Sequence, residues 1–188
     1  MRHIWWLRHG PTHRREMVGW SDVPADLSDT AALARLERFL PQAPVISSDL
    51  ARAVATADSV QGNRPRLPPV PGLREINFGD WEMKTAAEIE ASDPDLARAY
   101  WDDPLTHAPP GGETLAALSA RVATALAPLA QHRELIVVAH FGVILSQLHL
   151  AWGGAIKETL AQRIEPLSVT EITLGPGGAK VGLVNHRP

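Results

Sequence analysis

Two histidines in this chain each close a short apolar run. Ile4-Trp5-Trp6-Leu7 leads into Arg8-His9-Gly10, and Leu135-Ile136-Val137-Val138-Ala139 leads into His140. Burying a guanidinium or an imidazole is unfavourable unless it is paired, so charge at the end of a buried strand calls for a use. A third segment, Ser47-Ser48-Asp49-Leu50-Ala51-Arg52, opens a helix and sets Arg52 in its first turn. Gathered at one edge, two arginines, two histidines and free backbone N–H groups suit a doubly negative phosphate. An ester oxygen leaving such a phosphate needs a proton. Glu75, in Leu73-Arg74-Glu75-Ile76-Asn77-Phe78-Gly79, is the candidate donor, because partial burial raises a carboxyl pKa and keeps it protonated. Asp80 and Glu82 compete for that role. Glu113, after Gly111-Gly112, reads as a favourable first-turn carboxylate of a helix.

The elements that must position these groups can be read from the apolar pattern. Residues 3–8, 45–46 and 134–139 read as strands, and the first has apolar residues on both faces, as a covered parallel strand requires. Ser28 is the expected N-cap of a helix carrying Leu33, Leu36 and Leu40. Further helices are expected over 49–60, 84–91, 94–101, 113–132 and 143–152. Residues 63–72 and 73–78 read as extended, and 168–174 and 180–185 as closing strands around Gly175-Pro176-Gly177-Gly178. Strands alternating with helices predict an α/β protein, a three-layer α/β/α sandwich with a mainly parallel central sheet. Ligand sites in such sheets lie at the carboxyl ends of the strands, where both histidines stand if their strands are parallel neighbours. No repeat and no linker interrupts residues 1–188, so a single domain is expected.

Composition narrows the class. The chain has 188 residues, 45% of them hydrophobic, with 18 Lys and Arg against 21 Asp and Glu and a net charge of −3. That bounds one full core and offers no basic excess for a nucleic-acid partner. With no cysteine, disulfides and thiolate metal sites are excluded. The longest apolar run, 135–145, is broken by His140 and falls short of a membrane span. A cytoplasmic location, with neither membrane nor nucleic acid as partner, is expected. His9 and His13 have i, i+4 spacing, but Gly10 and Pro11 argue against a helix there, so no metal site is expected.

Four segments together carry a resemblance. Arg8-His9-Gly10 resembles the signature of the histidine phosphatase superfamily, which includes the cofactor-dependent phosphoglycerate mutases. Ser48-Asp49-Leu50-Ala51-Arg52-Ala53 with Thr56-Ala57 is similar to the family's second motif. The segment from Leu73 through Glu82 resembles the acid-bearing motif of its small phosphatase branch, including alpha-ribazole phosphatases. Val137-Val138-Ala139-His140 followed by Gly142-Val143-Ile144 resembles the second-histidine motif. The resemblance implies a phosphoglycerate mutase-like fold, with His9 as a nucleophile that becomes phosphohistidine. Arg8, Arg52 and His140 would hold the phosphoryl oxygens, joined by Gly10 and Thr12, and Glu75 would protonate the leaving oxygen and then activate water. No cofactor is implied. The chain departs from the pattern at Pro11, Arg15, Met83 and Phe141; a phosphate-touching Asn commonly stands at the place of Arg15.

The expected activity is hydrolysis of a small phosphate monoester, with a small phosphorylated metabolite as partner. Two other readings are set against it: phosphoglycerate mutase-type transfer, for which the chain is short, and a non-catalytic phospho-ligand-binding protein. A metal-dependent hydrolase is a third. Specificity is expected in loops 11–25, 78–85 and 102–112, with Trp20 and Trp81 at the entrance. Trp and Leu side chains around 148–160 are the expected face if the chain forms a homo-oligomer.

Overall fold

Strand β1 (Arg2–Arg8) occupies the middle of a five-stranded sheet in the computed structural model, which describes residues 1–188. Ile4, Trp6 and Leu7 are buried along it, and only a strand covered on both faces accommodates that run. The other strands are β2 (Val45–Ser47), β3 (Glu134–Ala139), β4 (Val169–Gly175) and β5 (Gly178–Val181), in the order β2-β3-β1-β4-β5. β1 and β2 both run parallel to β3, whereas β4 and β5 form an antiparallel arm.

Register matters more for the site than strand count. Arg8 lies opposite Ala139 and Ser47 opposite Val138. The next residues, His9, His140 and Ser48, therefore emerge together at the carboxyl edge of three parallel strands, where α/β sheets bind ligands.

Helices α1 (Thr30–Phe39), α2 (Ala51–Val60), α3 (Ala86–Ser92), α4 (Pro94–Asp102), α5 (Leu115–Leu126), α6 (Phe141–Trp152) and α7 (Ile156–Leu160) complete the fold. Leu33 and Leu36 of α1 pack with Ala53, Ala57 and Val60 of α2 in one core layer. Leu115, Leu118 and Val122 of α5 pack with Val143, Ile144 and Leu148 of α6 in the other. A small third cluster joins Trp81, Ile89, Ala97 and Tyr100, and so couples α3 and α4 to the turn after Glu75. No helix is long and apolar enough to cross a membrane.

Several boundaries differ from the sequence reading. Asp29, not Ser28, caps α1, its carboxylate accepting the Ala32 N–H at 2.9 Å. α5 starts at Leu115 and stops at Leu126, and the chain continues as a 3-10 turn over Ala127–Leu129. Pro128 explains that stop, since it has no N–H to continue the ladder. α6 begins at Phe141 rather than Val143, which makes His140 its N-cap. β5 ends at Val181, four residues early, and α7 was not foreseen.

Candidate active site

His9 is 6% exposed. Its Nδ1 lies 2.6 Å from the carbonyl oxygen of Gly10. A carbonyl only accepts, so Nδ1 carries the proton and Nε2 presents its lone pair. Burial, then the Arg52 guanidinium, and more weakly Arg8, push the imidazole pKa down to about 3, against the Gly10 carbonyl, which raises it. His9 is therefore neutral at physiological pH. The His140 ring lies 5.0 Å from it, centroid to centroid.

Arg52 is 1% exposed and sits at the start of α2. It donates to the carbonyls of Ser21 at 2.9 Å and Gly19 at 2.6 Å. The loop holding those carbonyls is latched in turn by Glu82, whose carboxylate accepts the N–H groups of Gly19, Trp20, Ser21 and Phe78 and the Ser21 hydroxyl. Burial alone would raise the Glu82 pKa, but these hydrogen bonds hold it below its ordinary value. Glu82 is thus a fixed carboxylate with its lone pairs engaged. Arg8 donates to the Ile164 carbonyl and lies 5.3 Å over the Phe141 ring, while its Nε is buried without a partner.

Glu75 is 6% exposed and receives two backbone N–H groups, from Ile76 at 2.9 Å and from Gly142 at 3.1 Å. The second comes from the first turn of α6. Burial raises its pKa and outweighs those two hydrogen bonds and the charges of Arg52 and Arg8. Its main chain is held by Arg121, which donates to the carbonyls of Gly72, Arg74 and Glu75 and pairs with Glu113. Glu113 also accepts the Asn77 N–H at 2.9 Å. It precedes α5, whose N-cap is Thr114, so the first-turn reading of Glu113 gives way to a half-buried ion pair that braces the acid-bearing segment.

His140 is fully buried, with Nε2 2.7 Å from the Ser48 hydroxyl and Nδ1 without a hydrogen-bond partner. Burial, then His9 and the arginines, drive its pKa well below the ordinary value. That unpartnered nitrogen lies beside the His9 ring, although His140 itself does not line the charged cavity around His9.

A cavity of about 190 Å³ brings Arg8, His9, Arg52 and Glu75 together, with Thr12 on its wall. Gly10, expected among the phosphate-binding residues, has its N–H engaged elsewhere. Its N–H donates to Thr56 Oγ1 at 3.0 Å, and Thr56 donates onward to the Arg52 carbonyl at 2.7 Å. Space is tight there as well: a Cβ would stand 2.5 Å from Leu27 Cδ2 and 3.1 Å from the Asp26 carbonyl oxygen. Arg14 and Arg15 are both exposed, and Arg14 and Glu16 line the cavity while Arg15 does not. Trp20 does not line the cleft. It donates to the Glu75 carbonyl at 2.8 Å, and the guanidinium groups of Arg74 and Arg121 lie 5.1 and 5.8 Å from its ring centroid. Trp81 is buried against Tyr100 and Trp101. Met83 has φ of 60°, the left-handed region that favours glycine. His13 is exposed and pairs with Asp26, and no three His, Asp or Glu side chains converge as a metal-ligand cluster.

Arg121, Ser48 and Thr56 were not assigned roles by the sequence reading. Ser48 and Thr56 lie inside the second motif, which was the available signal. Arg121 had none, being one arginine on a helix.

The description "histidine phosphatase superfamily (branch 1)" matches residues 4–187. The chain is 34% identical over 161 residues to a glucosyl-3-phosphoglycerate phosphatase of Mycobacterium tuberculosis, covering 76% of this chain and 72% of that one. It is 30% identical over 152 residues to an adenosylcobalamin/alpha-ribazole phosphatase of Escherichia coli, covering 75% and 74%. Among solved structures, a mycobacterial glucosyl-3-phosphoglycerate phosphatase in complex with inorganic phosphate superposes with a TM-score of 0.83 at 27% identity, over 99% of this chain and 98% of that one.

Proposed function

The chain belongs to branch 1 of the histidine phosphatase superfamily, and on that premise we propose that it is a metal-independent phosphatase that hydrolyses a small phosphate monoester through phosphohistidine. Phosphatase activity has the support of the family and of the relatives' names. The observation that carries the finer reading is the His9–Gly10 hydrogen bond, which leaves a neutral imidazole with a bare Nε2 in a cavity shared with the buried Arg52 and the half-buried Arg8.

In this reading Nε2 attacks phosphorus, the N–P bond forms, and the P–O ester bond breaks. Glu75, protonated through burial, gives its proton to the leaving oxygen. Its carboxylate, held by the Gly142 and Ile76 N–H groups, then takes a proton from water as the oxygen attacks phosphorus and the N–P bond breaks. Phosphate leaves, and Glu75 is protonated again. Arg8 and Arg52 stabilise charge on the phosphoryl oxygens, the main demand of phosphoryl transfer. The Ser48 hydroxyl donates to Nε2 of His140, leaving its Nδ1–H to donate to phosphate. Gly10 acts through space and Thr56, and Thr12 borders the phosphate from the loop.

The test is hydrolysis of p-nitrophenyl phosphate in EDTA, with the enzyme labelled from radioactive substrate and quenched in alkaline detergent, where phosphohistidine survives. Wild type turns over and yields an acid-labile phosphoenzyme, and His9→Ala yields neither. Equal turnover in His9→Ala, or loss of wild-type turnover to EDTA, overturns the mechanism.

A further inference from the structure

Two cavities meet at Glu75. One is the charged cavity around His9. The other, of about 250 Å³, has twelve lining residues, nine of them hydrophobic. Tyr100, Trp101, Leu145 and Leu160 line it and not the charged cavity, whereas Met17, Glu75, Phe78 and Phe141 line both. The candidate proton donor thus stands on the shared wall. A group leaving phosphorus on the side of Glu75 leaves toward the apolar space.

We infer that this second cavity receives the alcohol portion of the substrate and selects phosphate monoesters of apolar, ring-bearing alcohols over those of sugars and hydroxy acids. The inference rests on the phosphatase reading above and adds the substrate class. Its lining contains no lysine and no arginine, and its only ionisable side chains are Glu75 and Tyr100. A carboxylate or second phosphate placed there loses its water, meets no cation, and faces Glu75. Sugar hydroxyls lose several hydrogen bonds to water and find few polar groups to replace them. An apolar ring loses nothing of that kind and gains contact with Phe78, Trp101 and Phe141. The cavity is smaller than most that enclose a drug-sized ligand, so a single ring fits its scale. Burial, followed by the carboxylates of Glu75 and Glu113, raises the Tyr100 pKa, so its phenol stays a hydrogen-bond donor. The same lining disfavours mutase chemistry, which needs a second anion to be held beside the first.

Four primary alkyl phosphates with matched P–O chemistry test this: propyl phosphate, 3-phenylpropyl phosphate, glycerol 1-phosphate and 3-phosphoglycerate. The expected kcat/KM for 3-phenylpropyl phosphate exceeds that for propyl phosphate by about 30-fold, the scale of burying one ring. 3-Phosphoglycerate falls below propyl phosphate. Leu160→Lys, which brings a cation to the cavity wall, shrinks the gap between 3-phenylpropyl phosphate and 3-phosphoglycerate by at least about tenfold. Measurable turnover with the phenyl and propyl esters equal, or with 3-phosphoglycerate preferred, overturns the cavity assignment and leaves the phosphatase reading standing. Absence of turnover on all four and on p-nitrophenyl phosphate sinks the phosphatase reading. Calorimetry with 3-phenylpropylphosphonate and propylphosphonate still reads the cavity in that event, and equal affinities overturn the assignment.

Discussion

A Cβ on Gly142 would stand 2.5 Å from Oε1 of Glu75, while the Gly142 N–H donates to Oε2 of the same carboxyl at 3.1 Å. The candidate acid is seated on the bare first turn of α6, directly after His140. Gly142→Ala should therefore separate stability from activity. The position is helical, where alanine is favoured over glycine by about 1 kcal/mol, and the clashing atom is a side-chain end that can move. The expected result is a thermal midpoint near or above wild type with kcat reduced by about 10²-fold, because Glu75 is displaced from its donors. A variant of unchanged kcat would show that the seat does not matter.

The proposed mechanism makes opposite demands on two groups, and the pH profile follows from them. His9 must be unprotonated, and with a pKa pushed down to about 3 it is so throughout the working range. Glu75 must be protonated, and burial raises its pKa. Activity on an alkyl ester should fall as pH rises through that raised value, since the acid then loses its proton. Glu75→Gln should remove this alkaline limb and lower kcat by about 10²–10⁴-fold. The loss should be smaller with p-nitrophenyl phosphate, whose leaving oxygen needs little protonation. A limb that survives in Glu75→Gln assigns it to another group.

Acid should destabilise the fold through the same histidines. His9 and His140 are buried neutral, with folded pKa values depressed below the ordinary 6.5. Between about pH 6.5 and pH 3 the unfolded chain binds protons that the folded chain refuses, so stability is full above 6.5 and is lost as pH falls through that window. Melting curves from pH 7 to 4.5 should drop steeply in wild type and less so in His9→Asn. Parallel curves would count against the buried neutral form.

Arg121 touches no substrate cavity, yet it holds three carbonyls of the segment carrying Glu75. Arg121→Lys keeps the charge but cannot supply the planar fork. Leaving those carbonyls underpaired should cost about 2 kcal/mol of stability and lower kcat more than it raises KM. Urea unfolding beside steady-state kinetics checks both, and a wild-type kcat would remove Arg121 as a positioning residue.

Glu82 latches the loop whose carbonyls hold Arg52. Glu82→Gln turns an acceptor-only group toward N–H donors with an amide that must donate as well. Amide exchange at Gly19, Trp20 and Ser21 should accelerate by at least about tenfold, and kcat/KM should fall with it. Unchanged exchange would mean that Arg52 alone fixes the loop.

The histidines, Arg8, Arg52 and Glu75 were readable because each closes or opens an element whose apolar pattern is strong. A strand end has a definite place in an α/β sheet, and the motif order supplied the family resemblance. Groups that act through the backbone were less readable. Arg121 and Glu113 are ordinary charged residues in sequence, and their importance comes from carbonyls at Gly72, Arg74 and Glu75 that approach only after folding. Arg14 and Arg15 are adjacent and identical in type, so the choice between them rests on where the loop turns.

By itself, the sequence determined the α/β layering, the parallel strands that end in His9 and His140, and the family. Those follow from local periodicity and from residue types at fixed spacing, which survive in a one-dimensional record. Only the tertiary structure decided that the Gly10 N–H is spent on Thr56, that Glu82 latches a loop, and that an apolar cavity opens beside Glu75. Each depends on distances between segments far apart in the chain. Hydrogen bonding, burial and the pKa of a buried group answer to those distances and to no local pattern.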